Sequence, residues 1–138
     1  MFRGIALVLK RKDGKILIIQ ETQKKPWKEP GDFSVPMETR NKNETLAEVI
    51  KRAINEEANG IREYTVVRKI RQKNYNILGL ALVGCFLLEV TQYNNPLAGQ
   101  EVKNHQWMPP EEALRLKLRP GAREMIEGFL KLSPSSSL

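Results

Sequence analysis

The chain has 138 residues, 41% hydrophobic and 28% charged, a balance that fits one folded domain and excludes widespread disorder. A single cysteine, Cys85, excludes an internal disulfide framework and a cysteine-based zinc site, and a single histidine, His105, excludes a His-rich metal centre. Lys and Arg number 23 against 16 Asp and Glu, and the net charge of +7 suits nucleotides, nucleic acid or acidic membrane surfaces, or is simply a solvated basic surface.

Gly4–Lys10 is apolar and β-prone, and Lys12-Asp13-Gly14-Lys15 is a hairpin turn leading into a partner strand over Lys15–Glu21. Thr22–Asp32 carries Pro26, Pro30 and Gly31 and is predicted as a loop, with Phe33-Ser34-Val35 a short strand that stops at Pro36. Thr45–Asn59 is the clearest helix. Thr45 and Glu48 fit a capping box, Leu46, Val49, Ile50, Ala53 and Ile54 form an apolar face, and Gly60 is a natural left-handed stop. Ile61–Arg71 and Ile77–Val90 are predicted as long strands around a turn at Gln72–Asn76. Thr91–Gly99, with Asn94-Asn95-Pro96, is predicted as a loop, and Val102–Met108 as a strand. Prolines open two closing helices, at Pro109–Ala113 and at Pro120–Leu132. The expected organisation is one domain over residues 1–132 with a flexible serine-rich tail at 133–138, in a mixed α/β class.

No run approaches the roughly 20 apolar residues that a membrane-spanning helix needs. The longest candidate, Ile77–Leu88, is interrupted by Gly79 and Gly84 and reads as a buried strand. Gly4–Leu9 is too short for a signal-peptide core. The expectation is a cytoplasmic chain without a membrane partner, and the lone cysteine agrees with a reducing compartment.

The helix holds one anomaly. At about 100° per residue, Glu57 falls on the same side as Leu46 and Ala53 rather than on the charged face, with Glu56 beside it. A carboxylate aimed at an apolar stripe is costly unless paired or metal-bound, and two acids at a helix C-terminus oppose the dipole. Either a cation offsets them, a hard divalent ion being the simplest, or both are solvated at a fraying end.

Residues 36–61 resemble the Nudix box, G-x5-E-x7-R-E-U-x-E-E-x-G-U with U a bulky aliphatic. Glu44 matches the first glutamate, Arg52 follows after the seven-residue gap, Ile54 fits U, and Glu56-Glu57 fit the paired glutamates. Phe33-Ser34-Val35-Pro36 resembles the usual entry to the box, and Trp107–Ala113 the usual strand-to-helix exit. The resemblance spans about residues 3–130 and implies a Nudix-like α/β/α sandwich with a central mixed β-sheet. Three defining positions depart from it: Glu38 replaces the opening glycine, Ala53 the glutamate after the arginine, and Asn59 the final glycine, with Gly60 one residue late.

What the resemblance implies is a hydrolase, using Mg²⁺ or Mn²⁺, of a nucleoside diphosphate linked to another moiety, with activated water attacking a phosphoanhydride. On this pattern the catalytic group is Glu57, Glu56, Arg52 and Glu44, with Arg52 bracing Glu44. The metal ligands are Glu56, Glu57 and the Met37 carbonyl, with Glu101 as a later-loop glutamate and Glu38 as a substitute carboxylate for the one missing at Ala53. The alternative is a catalytically impaired Nudix-fold protein that binds a nucleotide or RNA without efficient turnover. The implied partners are a nucleotide-derived small molecule, RNA on account of the basic charge, and a second copy of the chain, since homodimers are common in the family. Glu111 and Glu112 suit the dipole at their helix start, while Trp27, Phe33 and Tyr75 are each a base-stacking candidate or ordinary packing.

Overall fold

The computed structural model describes residues 3–25, 29–70, 75–77 and 81–132. Their order is β1 (Gly4–Lys10), β2 (Ile16–Glu21), β3 (Phe33–Ser34), β4 (Met37–Thr39), α1 (Leu46–Glu57), β5 (Asn59–Lys69), β6 (Tyr75–Ile77), β7 (Ala81–Ala98), β8 (Val102–Met108), α2 (Pro110–Ala113) and α3 (Ala122–Leu130). One mixed sheet runs β3-β2-β1-β7-β5, with β4 paired to β1, β6 to β7 and β8 to β2. The β1–β7 pair is parallel and the others are antiparallel.

Both faces of the sheet are covered, so β1 and β2 read as continuous apolar runs rather than as an alternation with polar residues. Ala6, Val8, Ile16 and Ile18 pack with Met125 and Ile126 of α3. Their neighbours Ile5, Leu7, Leu9, Leu17 and Ile19 point the other way, onto Val49, Ile50 and Ile54 of α1. The result is the expected α/β/α sandwich. Gly14 supplies the positive φ, 89°, of the β1–β2 turn. Among the described residues no helix is long and apolar enough to cross a membrane.

Several boundaries differ from the sequence expectation. The predicted loop Thr91–Gly99 is mostly strand. β7 runs on to Ala98 because β5 stays paired with it from Lys69↔Phe86 to Asn59↔Ala98. Register shifts along that ladder bend the pair and accommodate the polar Asn94-Asn95-Pro96 stretch. The predicted strand Ile77–Val90 is divided, with β6 folding back on the start of β7. Met37–Thr39 is a strand because β1 offers it a free edge at Gly4↔Thr39 and Ala6↔Met37. Helix α1 ends at Glu57, and Gly60 takes its φ of 118° inside β5 rather than as the helix stop. The last helix begins at Ala122 behind a left-handed Gly121, not at Pro120. Trp27, most of the 72–76 turn, the Tyr75 side chain and the 133–138 tail lie outside the described residues.

Candidate active site

Helix α1 begins as its sequence dictates. The Thr45 hydroxyl accepts the Glu48 amide at 3.2 Å, and the Glu48 carboxylate accepts the Thr45 amide at 2.9 Å. Val49, Ile50, Ala53, Ile54 and Glu57 form the buried stripe, so the helical period carries a carboxylate into the protein at its last residue. Glu57 is 8% exposed. Its Oε1 accepts the amide of Met37 at 3.3 Å. Burial above all, and then the charges of Glu38 and Glu21, push its pKa well above the usual carboxylate value.

Strand β4 brings the second acid. Pairing of Ile5 with Glu38 puts Glu38 in line with the α1 side of β1. There its carboxyl stands beside that of Glu56; burial first, and then Glu56, raise it to about 7. Replacement of the box glycine has therefore placed a half-buried acid against the glutamate pair.

Arg52 ties these groups together. Its Nε and Nη2 donate to the two oxygens of Glu44, each at 2.9 Å, in a bidentate fork. Nη2 also donates to the Thr39 carbonyl. Nη1 faces Glu38 at 3.4 Å and Glu56 at 3.6 Å. The fork holds Glu44 down to about 2, well below the ordinary carboxylate range. The structure thus brings together Glu38, Glu44, Arg52, Glu56, Glu57 and the backbone of Met37. Met37 engages Glu57 through its amide; the resemblance implies its carbonyl as a metal ligand, a separate group of the same residue.

Glu101 is exposed in the turn before β8, with φ 58° and its carbonyl accepting the Thr22 amide at 3.2 Å. Among the described residues its carboxylate makes no hydrogen bond or ion pair, and it does not join the groups around Arg52. Glu111 and Glu112 lie in the first turn of α2, as expected from its dipole. Phe33 packs on the α3 side of the sheet, and the Cys85 thiol is buried and pushed up to about 12.

Two charged residues beside the site were not singled out from sequence. Glu21, at the end of β2, is 1% exposed and bonds Arg119 Nη1 at 3.1 Å. Both affect Glu57, Glu21 by raising its pKa and Arg119 by lowering it. A signal for Glu21 was present. Alternation from Leu17 and Ile19 puts it on the inward α1 side. Arg119 has no local signal; it arrives because the chain around it pairs with Phe33, amide to carbonyl, in both directions.

The donor set is all oxygen, the chemistry of a hard divalent cation. Its concentrated negative charge, with acids held above their ordinary pKa, fits such an ion. Among the described residues, however, no three His, Cys, Asp or Glu side chains are already arranged to hold one. Ala53 leaves α1 one carboxylate short, and the Arg52 guanidinium sits on Glu38 and Glu56.

The NUDIX domain family model matches residues 2–129. No curated protein matches the chain. Among solved structures, the Escherichia coli ORF135 protein is 23% identical, with a TM-score of 0.72 over 98% of this chain and 92% of that one. A MutT protein from Methanosarcina mazei is 18% identical, with a TM-score of 0.70 over 93% and 91%. A Caenorhabditis elegans Ap4A hydrolase is 18% identical, with a TM-score of 0.72 over 92% and 95%. With its box geometry, its α/β/α sandwich and a family match across most of its length, the chain belongs to the Nudix family.

Proposed function

We propose that this chain is a divalent-metal-dependent hydrolase of a nucleoside diphosphate linked to another moiety. The observation that carries the reading is the buried Glu57 beside Glu56 at the end of α1, with Arg52 forked onto Glu44 at the family's spacing. The resemblance of fold to a protein named as an Ap4A hydrolase supports the substrate class.

Glu56 and Glu57 would hold Mg²⁺ or Mn²⁺, joined by Glu38 in place of the carboxylate absent at Ala53. When bound, such an ion neutralises phosphate charge and lowers the pKa of water. The chain's own residues supply the rest. Met37 fixes one Glu57 oxygen and leaves the other for an incoming ligand. Arg52 closes the segment from Thr39 to Glu44 onto the helix and so sets where Glu38 stands. Without an ion, burial and Glu56 hold the Glu38 carboxyl up at about 7, and a bound cation would relieve that cost by favouring its charged form.

A second reading is a Nudix-fold protein that binds a nucleotide or RNA with little turnover. It is favoured by Ala53 and by the Arg52 contacts to Glu38 and Glu56. Mg²⁺ and Mn²⁺ titration, followed by phosphate release from dinucleoside polyphosphates, nucleotide sugars and nucleoside triphosphates, separates the two. Metal-dependent turnover that disappears in Glu57→Gln supports the hydrolase. Nucleotide binding without turnover in either metal supports the second reading, and turnover that survives Glu57→Gln sinks the assignment of the site.

A further inference from the structure

A helix leaves its last carbonyls without intrahelical partners, and in α1 those carbonyls belong to the residues of the site. The last turn carries no basic side chain to serve them. Local residues satisfy the first two: the Ala58 amide donates to Ile54, and Asn59 Nδ2 reaches the Asn55 carbonyl at 3.4 Å. Remote residues meet the next two. The Gln100 amide donates to the Glu56 carbonyl at 2.6 Å, and His105 Nε2 lies 2.7 Å from the Glu57 carbonyl. A carbonyl only accepts, so the ring nitrogen facing it carries the proton.

Two features make this contact more than a chance surface bond. His105 stands on β8 at a register shift, flanked by the pairs Gln106↔Ile18 and Lys103↔Gln20 with β2, and an irregularity of this kind re-aims a side chain while the pairs on either side hold the strand. A donor on a sheet strand is held more rigidly than one on a loop. The preceding turn also comes close enough that a Cβ at Gly99 would lie 2.6 Å from the Glu57 carbonyl oxygen. Glycine is required there for the approach.

We propose that His105 is a positioning residue for the Glu56–Glu57 pair: with the Gln100 amide, it pins the end of α1 to the sheet and so aims the Glu57 carboxylate at Met37. Its effect on metal binding rests on the function proposed above, whereas its effect on Glu57 does not. The ring acts through the main chain of Glu57 and neither ligates the ion nor touches substrate.

Two measurements need no metal. Nitrogen-15 NMR of the unmodified chain, recorded above the pH at which the ring loses its second proton, should show His105 as the Nε2–H tautomer, and the Nδ1–H tautomer would overturn the proposal. The amide resonance of Met37, which reports its bond to Glu57, should shift in His105→Ala and return in His105→Gln, whose amide nitrogen can reach the position of Nε2. A Met37 amide unmoved in a folded His105→Ala chain, or a Gln variant that behaves like Ala, would also overturn it. Mn²⁺ affinity, read by electron paramagnetic resonance, should fall about tenfold in His105→Ala and recover in His105→Gln, the effect of loosening a ligand without removing it. An unchanged affinity beside a shifted Met37 amide would remove the metal half of the proposal. Loss of Mn²⁺ binding in Glu57→Gln is the separate check on the function. If the unmodified chain binds no Mn²⁺, that function falls, and the tautomer and the Met37 amide still decide the role of His105.

Discussion

The two ends of helix α1 are built on opposite principles. The N-terminal end is closed by residues three apart in sequence, Thr45 and Glu48, with Glu44 forked to Arg52 two turns on. The C-terminal end is closed by Gln100 and His105, more than forty residues away, and its last carboxylate is received by Met37 from β4. Their electrostatics also differ. Glu44 and Glu48 are held below the ordinary carboxylate range by hydrogen bonds to Arg52 and to Thr45, while Glu57 is held above it by burial. The first end stabilises the fold as it stands. The second carries charge that the fold alone does not relieve, as expected where a ligand supplies the remaining compensation.

The largest expected effect breaks the remote end. Arg119→Ala would remove a cationic partner of the buried Glu21 and should cost about 3–5 kcal/mol in chemical denaturation, the range for breaking a buried ion pair from one side. Next comes Glu57→Gln, which should lower metal-dependent turnover by more than about 100-fold in steady-state assays. The comparison is that loosening a mere partner of a metal ligand costs about 10- to 100-fold. At the local end, Thr45→Ala should cost about 1 kcal/mol and leave Mn²⁺ affinity unchanged, since it removes a cap and nothing else. An altered affinity there would show that the two ends are coupled along the helix.

The smallest effect is pH dependence, and the two ends should oppose each other. Glu44 and Glu48 have lowered folded pKa values, so their stabilisation is complete above the unfolded value and is lost as pH falls, for Glu44 through about 2. Glu57 and Glu38 have raised values, so their contribution is complete below the unfolded value and is lost as pH rises, for Glu38 through about 7. The metal-free thermal midpoint should therefore be highest near pH 5 and decline on both sides. Mg²⁺ should raise the midpoint more at pH 8 than at pH 5. A midpoint that climbs steadily from pH 5 to 8 without metal would show that the acids at the C-terminal end carry no strain.

The sequence alone determined whatever depends on near neighbours. The Thr45–Glu48 box, the apolar stripe of α1, the inward turn of Glu57, the Gly14 turn and the strands β1 and β2 all follow from short periods and local chemistry. The Arg52–Glu44 fork was implied by the resemblance to the Nudix box, and it too joins residues only two turns apart on one segment. Tertiary structure decided what depends on who arrives from elsewhere. It carried β7 through Asn94-Asn95-Pro96 because β5 was there to pair with it, and it turned Met37–Thr39 into a strand on the edge of β1. It also set Glu38 against Glu56, buried Glu21 with Arg119, and gave His105 the Glu57 carbonyl as a partner. A period can say that a side chain faces inward, but not what it will meet there. Partners from distant segments are selected by the burial and backbone pairing of the whole sheet.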